Sequence, residues 1–313
     1  MFDIIIPHFN SEQKLLKLLD SIPDNDRFNV IIVDDCSTDN LGTLYCYINE
    51  RRNISLIENK ENKGAGACRN IGLRNSKSDW VIFADSDDFF LNNFNETLYH
   101  VFSDINSNSN IDLIFFSPQS CDEFGNQSFR HVHYADMISN YLKKPDSASI
   151  LNLRAKFVVP WSKIYSREMI FKNNIWFDEI KVANDVMFST KCGLAAREIM
   201  VTGKSIYCAV RIAGSLSTAI SEERFMIRFD VFLKYNNYLQ NKLKASEYNE
   251  LDILGYDFVL NSFKYRMRIN KKLNILQKLR ENHVRIFSVK KISLINIKSK
   301  FSKSIDEYKY EKK

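Results

Sequence analysis

Asp79-Trp80-Val81-Ile82-Phe83-Ala84 runs directly into Asp85-Ser86-Asp87-Asp88, so an apolar stretch of the length of a β-strand ends in three carboxylates. Ligands of open α/β sheets bind at the carboxyl ends of the strands. Carboxylates two residues apart at such an end can hold a hard divalent cation, and such a cation can bridge phosphates. The alternative is a solvated acidic loop, because short Asp-x-Asp sequences are common by chance.

Upstream of this stretch, strand and helix patterns alternate. Apolar runs predict strands at residues 2–7, 28–33, 54–57 and 80–84. Helical spacing of apolar residues predicts helices at 12–21 and from 37 to 48, and a loop entering a helix at 64–75. Short strands that alternate with helices predict an α/β fold with a mostly parallel, Rossmann-like central sheet flanked by helices.

Beyond residue 100 the alternation weakens. The sequence predicts strands at 111–116 and 205–210 and helices at 161–170 and 185–196, whereas residues 117–160 are polar and are not assigned. From residue 222 onward the pattern is helical and basic, so we place a domain boundary near residue 220.

The composition is ordinary for a soluble globular protein, with 45% hydrophobic and 26% charged residues in 313. The sequence contains no run of 18 apolar residues, so it predicts no transmembrane helix, and its first residues resemble a strand more than a signal peptide. The six cysteines form no Cys-x-x-Cys motif, which argues against a zinc site. We expect them to be reduced, as in a cytoplasmic protein.

The net charge of +6 is unevenly distributed along the chain. Residues 258–300 contain 12 Lys and Arg against one acid, Glu281, whereas the remaining residues carry 32 bases and 37 acids. A segment with a net charge of +11 suggests an anionic partner such as a membrane surface, a nucleic acid or an acidic substrate. We recognise no nucleic-acid-binding module in it and expect no nucleic acid partner.

Polar motifs also follow the other predicted strands. These are Pro7-His8-Phe9-Asn10 after the first, Asp34-Asp35-Cys36-Ser37-Thr38-Asp39 after the second and Asn62-Lys63-Gly64-Ala65-Gly66-Ala67-Cys68-Arg69-Asn70-Ile71-Gly72 after the third. The carboxyl ends of successive parallel strands line one crevice, so we expect these motifs and the acidic stretch to lie together.

In these motifs the chain resembles glycosyltransferase family 2, the inverting transferases of the GT-A fold that use nucleotide-sugar donors. Three later stretches add to the resemblance: Trp161-Ser162-Lys163-Ile164-Tyr165, Asn184-Asp185-Val186-Met187-Phe188, and Arg211 with Gly214-Ser215-Leu216-Ser217. The resemblance covers about residues 2–218. It implies a GT-A catalytic domain at 1–220, with a nucleotide-binding half (1–100) and an acceptor-binding half (101–220), followed by a basic helical region at 221–313.

The resemblance also implies a donor site for a nucleotide-sugar. Asp35 and Asp34 would hold the base or ribose, Gly64 would allow a tight turn, and Arg69 would be the cation near the donor. Asp87 would ligate Mn²⁺ or Mg²⁺ directly, with Asp85 facing the ribose or a metal-bound water and Asp88 in support. The remaining donor-site candidates are Pro7, Phe9, Asn10 and Ser86.

On the acceptor side, Asp185 is the candidate base that deprotonates the acceptor hydroxyl, which inversion requires. Asn184 stands where the family usually has Glu, which affects the expected acceptor hydrogen bonds, and Trp161 would lie beneath the sugar or acceptor. For each residue a structural alternative stays open. Asp185 could be a helix-terminal carboxylate, Trp161 a core residue and Arg69 a surface arginine.

The resemblance implies an enzyme that moves one sugar, with a UDP-sugar as the expected donor, to a glycan or lipid-linked acceptor in cell-surface polysaccharide synthesis. The basic segment would hold it on the cytoplasmic face of the membrane, unless its apolar stripe packs on the catalytic domain. Two other functions stay open: a non-catalytic glycan-binding or scaffold protein of the same fold, and a sugar nucleotidyltransferase. The retained Asp85, Asp87 and Asp185 argue against the first, and the motif after the first strand argues against the second.

Overall fold

A computed structural model describes residues 1–105, 110–212 and 221–287. Its contacts divide the chain into two units, Met1–Val231 and Phe232–Lys313, of which the second is described as far as residue 287. In the described ranges no helix combines the length and apolar character needed to cross a membrane.

The described residues form ten strands and twelve helices. The strands are β1 (Phe2–His8), β2 (Phe28–Asp34), β3 (Ile54–Glu58), β4 (Trp80–Phe83), β5 (Phe89–Phe90), β6 (Ile111–Phe116), β7 (Gln119–Asp122), β8 (Lys163–Ser166), β9 (Glu198–Thr202) and β10 (Tyr207–Arg211). The helices are α1 (Glu12–Asp20), α2 (Gly42–Glu50), α3 (Ala65–Asn75), α4 (Phe94–Ser103), α5 (Val132–Lys143), α6 (Ser147–Lys156), α7 (Arg167–Lys172), α8 (Val186–Ala195), α9 (Glu222–Lys242), α10 (Ala245–Leu251), α11 (Tyr256–Lys264) and α12 (Ile269–Glu281).

A seven-stranded sheet with the order β3-β2-β1-β4-β8-β6-β9 is the centre of the first unit. The pairs among β1 to β4 are parallel, as is the pair of β6 with β9, and β8 runs antiparallel to both of its neighbours. A second sheet has the order β5-β10-β7. The predicted α/β fold with a mostly parallel sheet is therefore confirmed, and the carboxyl ends of β1, β2 and β4 lie at one edge.

Burial on both faces explains the apolar runs of the central strands. All residues of β1 are buried, with Ile4 and Ile6 in one core cluster and Ile5 in the other. The first cluster includes residues of α1, α2 and α4, whereas the second includes residues of α3, α7 and α8. Helices thus cover both faces, as parallel sheets require.

The predicted helix at 161–170 is wrong over its first half. Residues 163–166 form β8, and a helix begins only at Arg167. Lys163 is buried in this strand, and its Nζ donates to the Phe157 carbonyl at 2.8 Å. The unassigned stretch 117–160 contains β7, α5 and α6.

The second unit is helical in its described part. Asn236 of α9 donates to the Asn282 carbonyl at 3.1 Å and accepts from the Tyr248 hydroxyl at 2.5 Å. The division between the units falls inside α9. We expected a boundary near residue 220, at the end of the range 213–220, which lies outside the described residues. The stretch Gly214-Ser215-Leu216-Ser217 lies in the same range.

The close approach of α3 to β1 gives the first prediction. A Cβ at Gly72 would lie 2.3 Å from Ile5 Cγ2, so Gly72→Ala must push the helix from the strand. We expect a loss of about 1–3 kcal/mol in the free energy of unfolding, typical of overpacking, although alanine favours helices intrinsically. Urea denaturation measures it.

Gly203→Ala is the matched control, because a Cβ there would meet only the flexible side-chain end of Leu142, at 3.3 Å. Equal denaturation midpoints for the two variants would show that the contact between α3 and β1 is not the constraint that we describe.

Candidate active site

The acidic loop after β4 is fixed in place by β10. Ligand oxygens of Asp85, Asp87 and Asp88 all lie within 4.8 Å of one another. The Tyr207 hydroxyl donates to Asp88 at 2.7 Å and accepts from the Asp85 backbone N–H at 2.9 Å. The Val210 N–H also donates to Asp88 at 2.7 Å. Asp88 therefore anchors the loop, and Asp85 and Asp87 are half-buried beside it.

Burial, and then the charges of neighbouring carboxylates, raise the pKa values of Asp87 and Asp88. Burial raises the pKa of Asp87, and the charge of Asp85 raises it further. Burial also raises the pKa of Asp88 well above its ordinary value, with Asp85 and Asp87 adding to the effect. Like charges at this spacing disfavour one another, so a cation placed among them would be stabilised.

Arg69, on α3, joins the acidic loop to the segment before α8. Its Nη2 donates to Asp85 at 2.5 Å and its Nη1 to the Asn184 side-chain oxygen at 2.9 Å, while the guanidinium lies 5.4 Å from the Phe177 ring centroid. Burial alone would lower the pKa of Arg69, but the charges of Asp85 and Asp185 outweigh it and raise that pKa. With 6% of its surface exposed, Arg69 is not a surface arginine.

The first turns of α3 hold the segment 177–184 at the site. A Cβ at Gly66 would lie 2.2 Å from the Asp178 carbonyl oxygen, so only glycine allows this approach. Asn70 donates to the Phe177 carbonyl at 3.0 Å and accepts from the Phe177 N–H at 2.9 Å. The glycine-rich motif thus positions the residues that lead into α8.

Asp185 immediately precedes α8 and is half-buried. It occupies the N-cap position, yet its side chain makes no capping hydrogen bond. This geometry disfavours the alternative of a helix cap. Burial raises the pKa of Asp185, against the opposing effect of Arg69, so its carboxylate binds a proton more readily than an ordinary Asp.

Asp34 is buried beneath the loop after β2. Its Oδ1 lies 2.7 Å from His8 Nδ1 and accepts from the Ser37 hydroxyl at 2.5 Å, while its Oδ2 accepts from the Ser37 N–H at 2.9 Å. Asp34 is only 2% exposed, and both of its carboxylate oxygens accept hydrogen bonds from groups within the protein. The structure therefore gives Asp34 a structural role that our donor-site prediction did not include.

Asp35 supports the loop that enters α3. Its Oδ1 accepts from Asn59 Nδ2 at 3.0 Å and from the Lys63 N–H at 2.8 Å, and its Oδ2 accepts from the Gly64 N–H at 2.7 Å. Gly64 has a φ of 86°, a positive value that glycine adopts without steric cost, as expected of a tight turn. Since a carboxylate offers about four acceptor positions, little of Asp35 is left for a base or ribose.

The other donor-site candidates lie around the same strand ends. Asn10 joins the loops that follow β1 and β2, because its Oδ1 accepts from the Thr38 N–H at 2.8 Å. Pro7 is buried at the end of β1, whereas Phe9 is 46% exposed and offers an open aromatic face. The Ser86 hydroxyl is 3.1 Å from that of Ser11.

The two acceptor-side candidates are engaged inside the protein. Trp161 is 1% exposed, and its ring stacks on Tyr207 with centroids 6.0 Å apart, so it is a core residue with no open face for a sugar. Asn184 is buried and its side-chain oxygen accepts from Arg69. The prediction that Trp161 stacks beneath an acceptor is therefore not supported by its position, and Asn184 supports Arg69.

Arg130 and Tyr207 belong to the site but were not predicted. Arg130 donates to the Val210 carbonyl at 3.1 Å, and the charges of Asp88, Asp85 and Asp87 raise its pKa against the effect of burial. Arg130 falls in the polar stretch that the sequence left unassigned, and nothing in the sequence identified it. Tyr207 lay in a predicted strand, but its hydroxyl contacts depend on the second sheet.

The donor set of the acidic loop fits a hard divalent cation. It consists of carboxylate oxygens only, the ligands that Mg²⁺ and Mn²⁺ prefer. Asp87 accepts no hydrogen bond from any other residue in the ranges that the structure describes, and Asp85 retains an oxygen that Arg69 does not contact. Asp88 is less suitable, because both of its oxygens accept protein hydrogen bonds.

The family model for glycosyl transferase family 2 matches residues 3–172 of this chain. Poly(ribitol-phosphate) beta-N-acetylglucosaminyltransferase TarS of Staphylococcus aureus is 29% identical over 233 residues, which are 72% of this chain and 38% of TarS. Glycosyltransferase GlyA of Streptococcus pneumoniae is 30% identical over 230 residues, 70% of this chain and 32% of GlyA. The chain thus spans less than half the length of these curated relatives.

Solved structures confirm the expected GT-A fold. TarS residues 1–349 in complex with UDP-GlcNAc superimpose with a TM-score of 0.68 at 22% identity, covering 90% of this chain and 80% of that chain. Mannosyltransferase PcManGT from Pyrobaculum calidifontis, solved with GDP-Man and Mn²⁺, gives a TM-score of 0.56 at 12% identity, covering 90% and 86%.

Removal of the Tyr207 hydroxyl tests how the acidic loop is held. Tyr207→Phe leaves the buried Asp88 carboxylate without one donor and the Asp85 N–H without its acceptor. An unsatisfied buried polar group costs about 1–3 kcal/mol, and we expect a loss of that size in the free energy of unfolding, measured with urea.

Tyr45→Phe is the control, because the Tyr45 hydroxyl makes an exposed hydrogen bond to Glu58. We expect it to change stability by no more than about 0.5 kcal/mol. If both variants behave alike, Tyr207 does not hold the loop.

Proposed function

The chain belongs to glycosyl transferase family 2 and is a glycosyltransferase, and on this premise we propose that it transfers one sugar, with inversion, from a UDP-sugar to a glycan or lipid-linked acceptor. One observation carries the proposal. The Arg69 guanidinium contacts Asp85 of the acidic loop and Asn184, the residue before Asp185, so donor-side and acceptor-side groups meet at a single cation.

The donor class is inferred from relatives and from the site. TarS has been solved with UDP at 25% identity to this chain, which favours a uridine nucleotide here. In the proposal, Pro7, Phe9, Asn10, Gly64 and Ser86 form the walls of the nucleotide pocket. Asp35 contributes at most one remaining acceptor position, and Asp34 acts by holding the loop.

Asp87 and Asp85 would hold Mn²⁺ or Mg²⁺. Such an ion supplies Lewis-acid neutralisation of the departing nucleoside diphosphate. Arg69 keeps Asp85 in place, and Asp88 fixes the loop from below through Tyr207. Arg130 adds a second positive charge beside the three carboxylates.

Asp185 is proposed as the general base. The acceptor hydroxyl oxygen forms a bond to the anomeric carbon, its proton passes to the Asp185 carboxylate, and the bond from that carbon to the diphosphate oxygen breaks. A single displacement of this kind inverts the anomeric configuration. The raised pKa of Asp185 suits the role, because a more basic carboxylate takes the proton more readily.

The acceptor and the location are proposals drawn from relatives and charge. TarS and a glucosyltransferase of Bacillus spizizenii both act, by name, on poly(ribitol-phosphate), which supports a cell-surface polymer as the acceptor class. In this proposal residues 1–220 form the catalytic domain, and the basic residues of 221–313 hold the protein peripherally on the cytoplasmic face of the membrane.

Asp87→Asn tests the cation site. The variant loses one anionic oxygen ligand, so the part of the UDP affinity that depends on Mn²⁺ should fall by at least about tenfold, since even outer-shell changes cost that much. Isothermal titration of UDP with Mn²⁺ and with EDTA measures it. Asp104→Asn, an exposed carboxylate at the end of α4, is the control. UDP affinity that ignores both EDTA and Asp87→Asn would contradict the assignment.

Asp185→Asn tests the base. Transfer should fall by about 10²–10⁴-fold, the usual contribution of a general base, while UDP binding and the melting temperature stay near those of the wild type. Product formation, UDP titration and thermal denaturation measure the three quantities separately. A variant that transfers normally, or a product with retained anomeric configuration, would remove Asp185 from this role.

A further inference from the structure

Two helices of the second unit expose large apolar side chains to solvent. We call this set the apolar strip, and it comprises Leu260 (40% exposed), Phe263 (58%), Ile269 (69%), Leu273 (58%) and Leu276 (38%). The first two residues belong to α11 and the others to α12. Exposed apolar side chains that cluster in this way mark interaction sites more often than single ones do.

The apolar strip differs from the buried face by which α12 packs in its own unit. Ile275 and Leu279 are fully buried and fill that role. Ile269, Leu273 and Leu276 are spaced by four and three residues, so they share a separate face of the helix. Helix α12 therefore has one apolar face buried in the unit and a second apolar face in solvent.

Basic side chains surround the apolar strip. Lys264, Arg266, Arg268 and Lys271 are exposed beside it, and Lys272 Nζ lies 4.2 Å from the centroid of the Phe263 ring. This last contact brings a positive charge of α12 onto an exposed ring of α11. Residues 258–287 contain eight Lys and Arg and a single acid, Glu281.

We infer that the apolar strip inserts into the interfacial layer of an anionic lipid bilayer, with the surrounding bases at the level of the lipid phosphates. Interfacial helices combine these two features, and each base near an anionic surface adds to the attraction. The inference rests on the peripheral-membrane part of the proposed function and specifies the contact: insertion by named residues, beyond electrostatic adsorption of the basic segment.

Charge complementarity favours lipid over the other possible occupants. A second copy would bring the same basic surface against this one, and like charges across an interface are unfavourable. Residues 288–313 carry eight Lys against three acids, so they too are positively charged. An anionic bilayer complements both the apolar strip and its basic surroundings.

Co-sedimentation of the full chain with vesicles tests the inference. The strip variant Ile269→Ser/Leu273→Ser should partition at least about tenfold less onto phosphatidylcholine vesicles that contain phosphatidylglycerol, because two large apolar groups are lost from the contact. The binding that remains in this variant should vanish at high salt, whereas the wild type should retain part of its binding.

Phe124→Ser/Phe129→Ser is the matched control, since these exposed phenylalanines lie in the first unit. Its partitioning should equal that of the wild type. A charge variant, Arg268→Gln/Lys272→Gln, should show a weaker preference for phosphatidylglycerol than the wild type, because two of the bases beside the strip are lost. If the strip variant and the wild type bind equally at every salt concentration, insertion is excluded and only adsorption is left.

Fluorescence of Leu273→Trp identifies the occupant. Vesicles should shift its emission to the blue, and brominated lipids should quench it. Emission that is already blue-shifted without vesicles would show that the chain itself or a second copy covers the strip, which overturns the inference, and sedimentation velocity would tell these two apart. Hydrolysis of UDP-sugar, measured in parallel without vesicles, should be unchanged in the strip variant. If the wild type hydrolyses no UDP-sugar, the transferase proposal is contradicted, whereas the result on membrane binding still stands.

Discussion

The buried guanidinium of Arg69 is the interaction on which the site depends. A charge inside a protein is stable only when it is paired and hydrogen-bonded, and removal of one partner typically costs about 3–5 kcal/mol. Arg69 meets this condition through Asp85 and Asn184, which come from the loop after β4 and from the segment before α8. Helix α3 must therefore pack closely on β1 and on that segment. If this helix moved, Asp85 would lose its ion pair, and the segment before Asp185 would lose its hydrogen bonds to Arg69 and Asn70.

Much of the fold could be predicted from the sequence, because strands that are buried on both faces appear as continuous apolar runs. The strands of the first hundred residues are continuous apolar runs, and their predicted ends agree with the structure within about two residues. Strand β8 was misread as helix because its partners lie elsewhere in the chain. Lys163 is a charged residue, yet it is buried in this strand, and its ammonium group donates to the Phe157 carbonyl. The sequence pattern around Lys163 does not predict that its side chain is buried.

The candidate site could be located from the sequence, but not the partners of its side chains. The resemblance indicated Arg69, the acidic loop and Asp185, and the structure brings these together. It could not show that Asp34 and Asp35 are bound to backbone and side-chain donors of neighbouring loops, nor that Trp161 is in the core. Arg130 reaches the carboxylates from a segment without periodicity. Such roles arise from tertiary contacts between distant segments, about which periodicity carries no information.

The contact between Gly66 and the Asp178 carbonyl has a consequence for how these sequences can diverge. One side of the contact is a missing side chain, so Gly66 cannot change without moving backbone. The other side is a peptide oxygen, which every amino acid possesses, so this contact places no restriction on the residue type at position 178. The residue type at position 178 can therefore change during evolution while the backbone path of the segment that leads to Asp185 stays fixed. In an alignment, only the glycine would be constrained by this contact, although two segments form it.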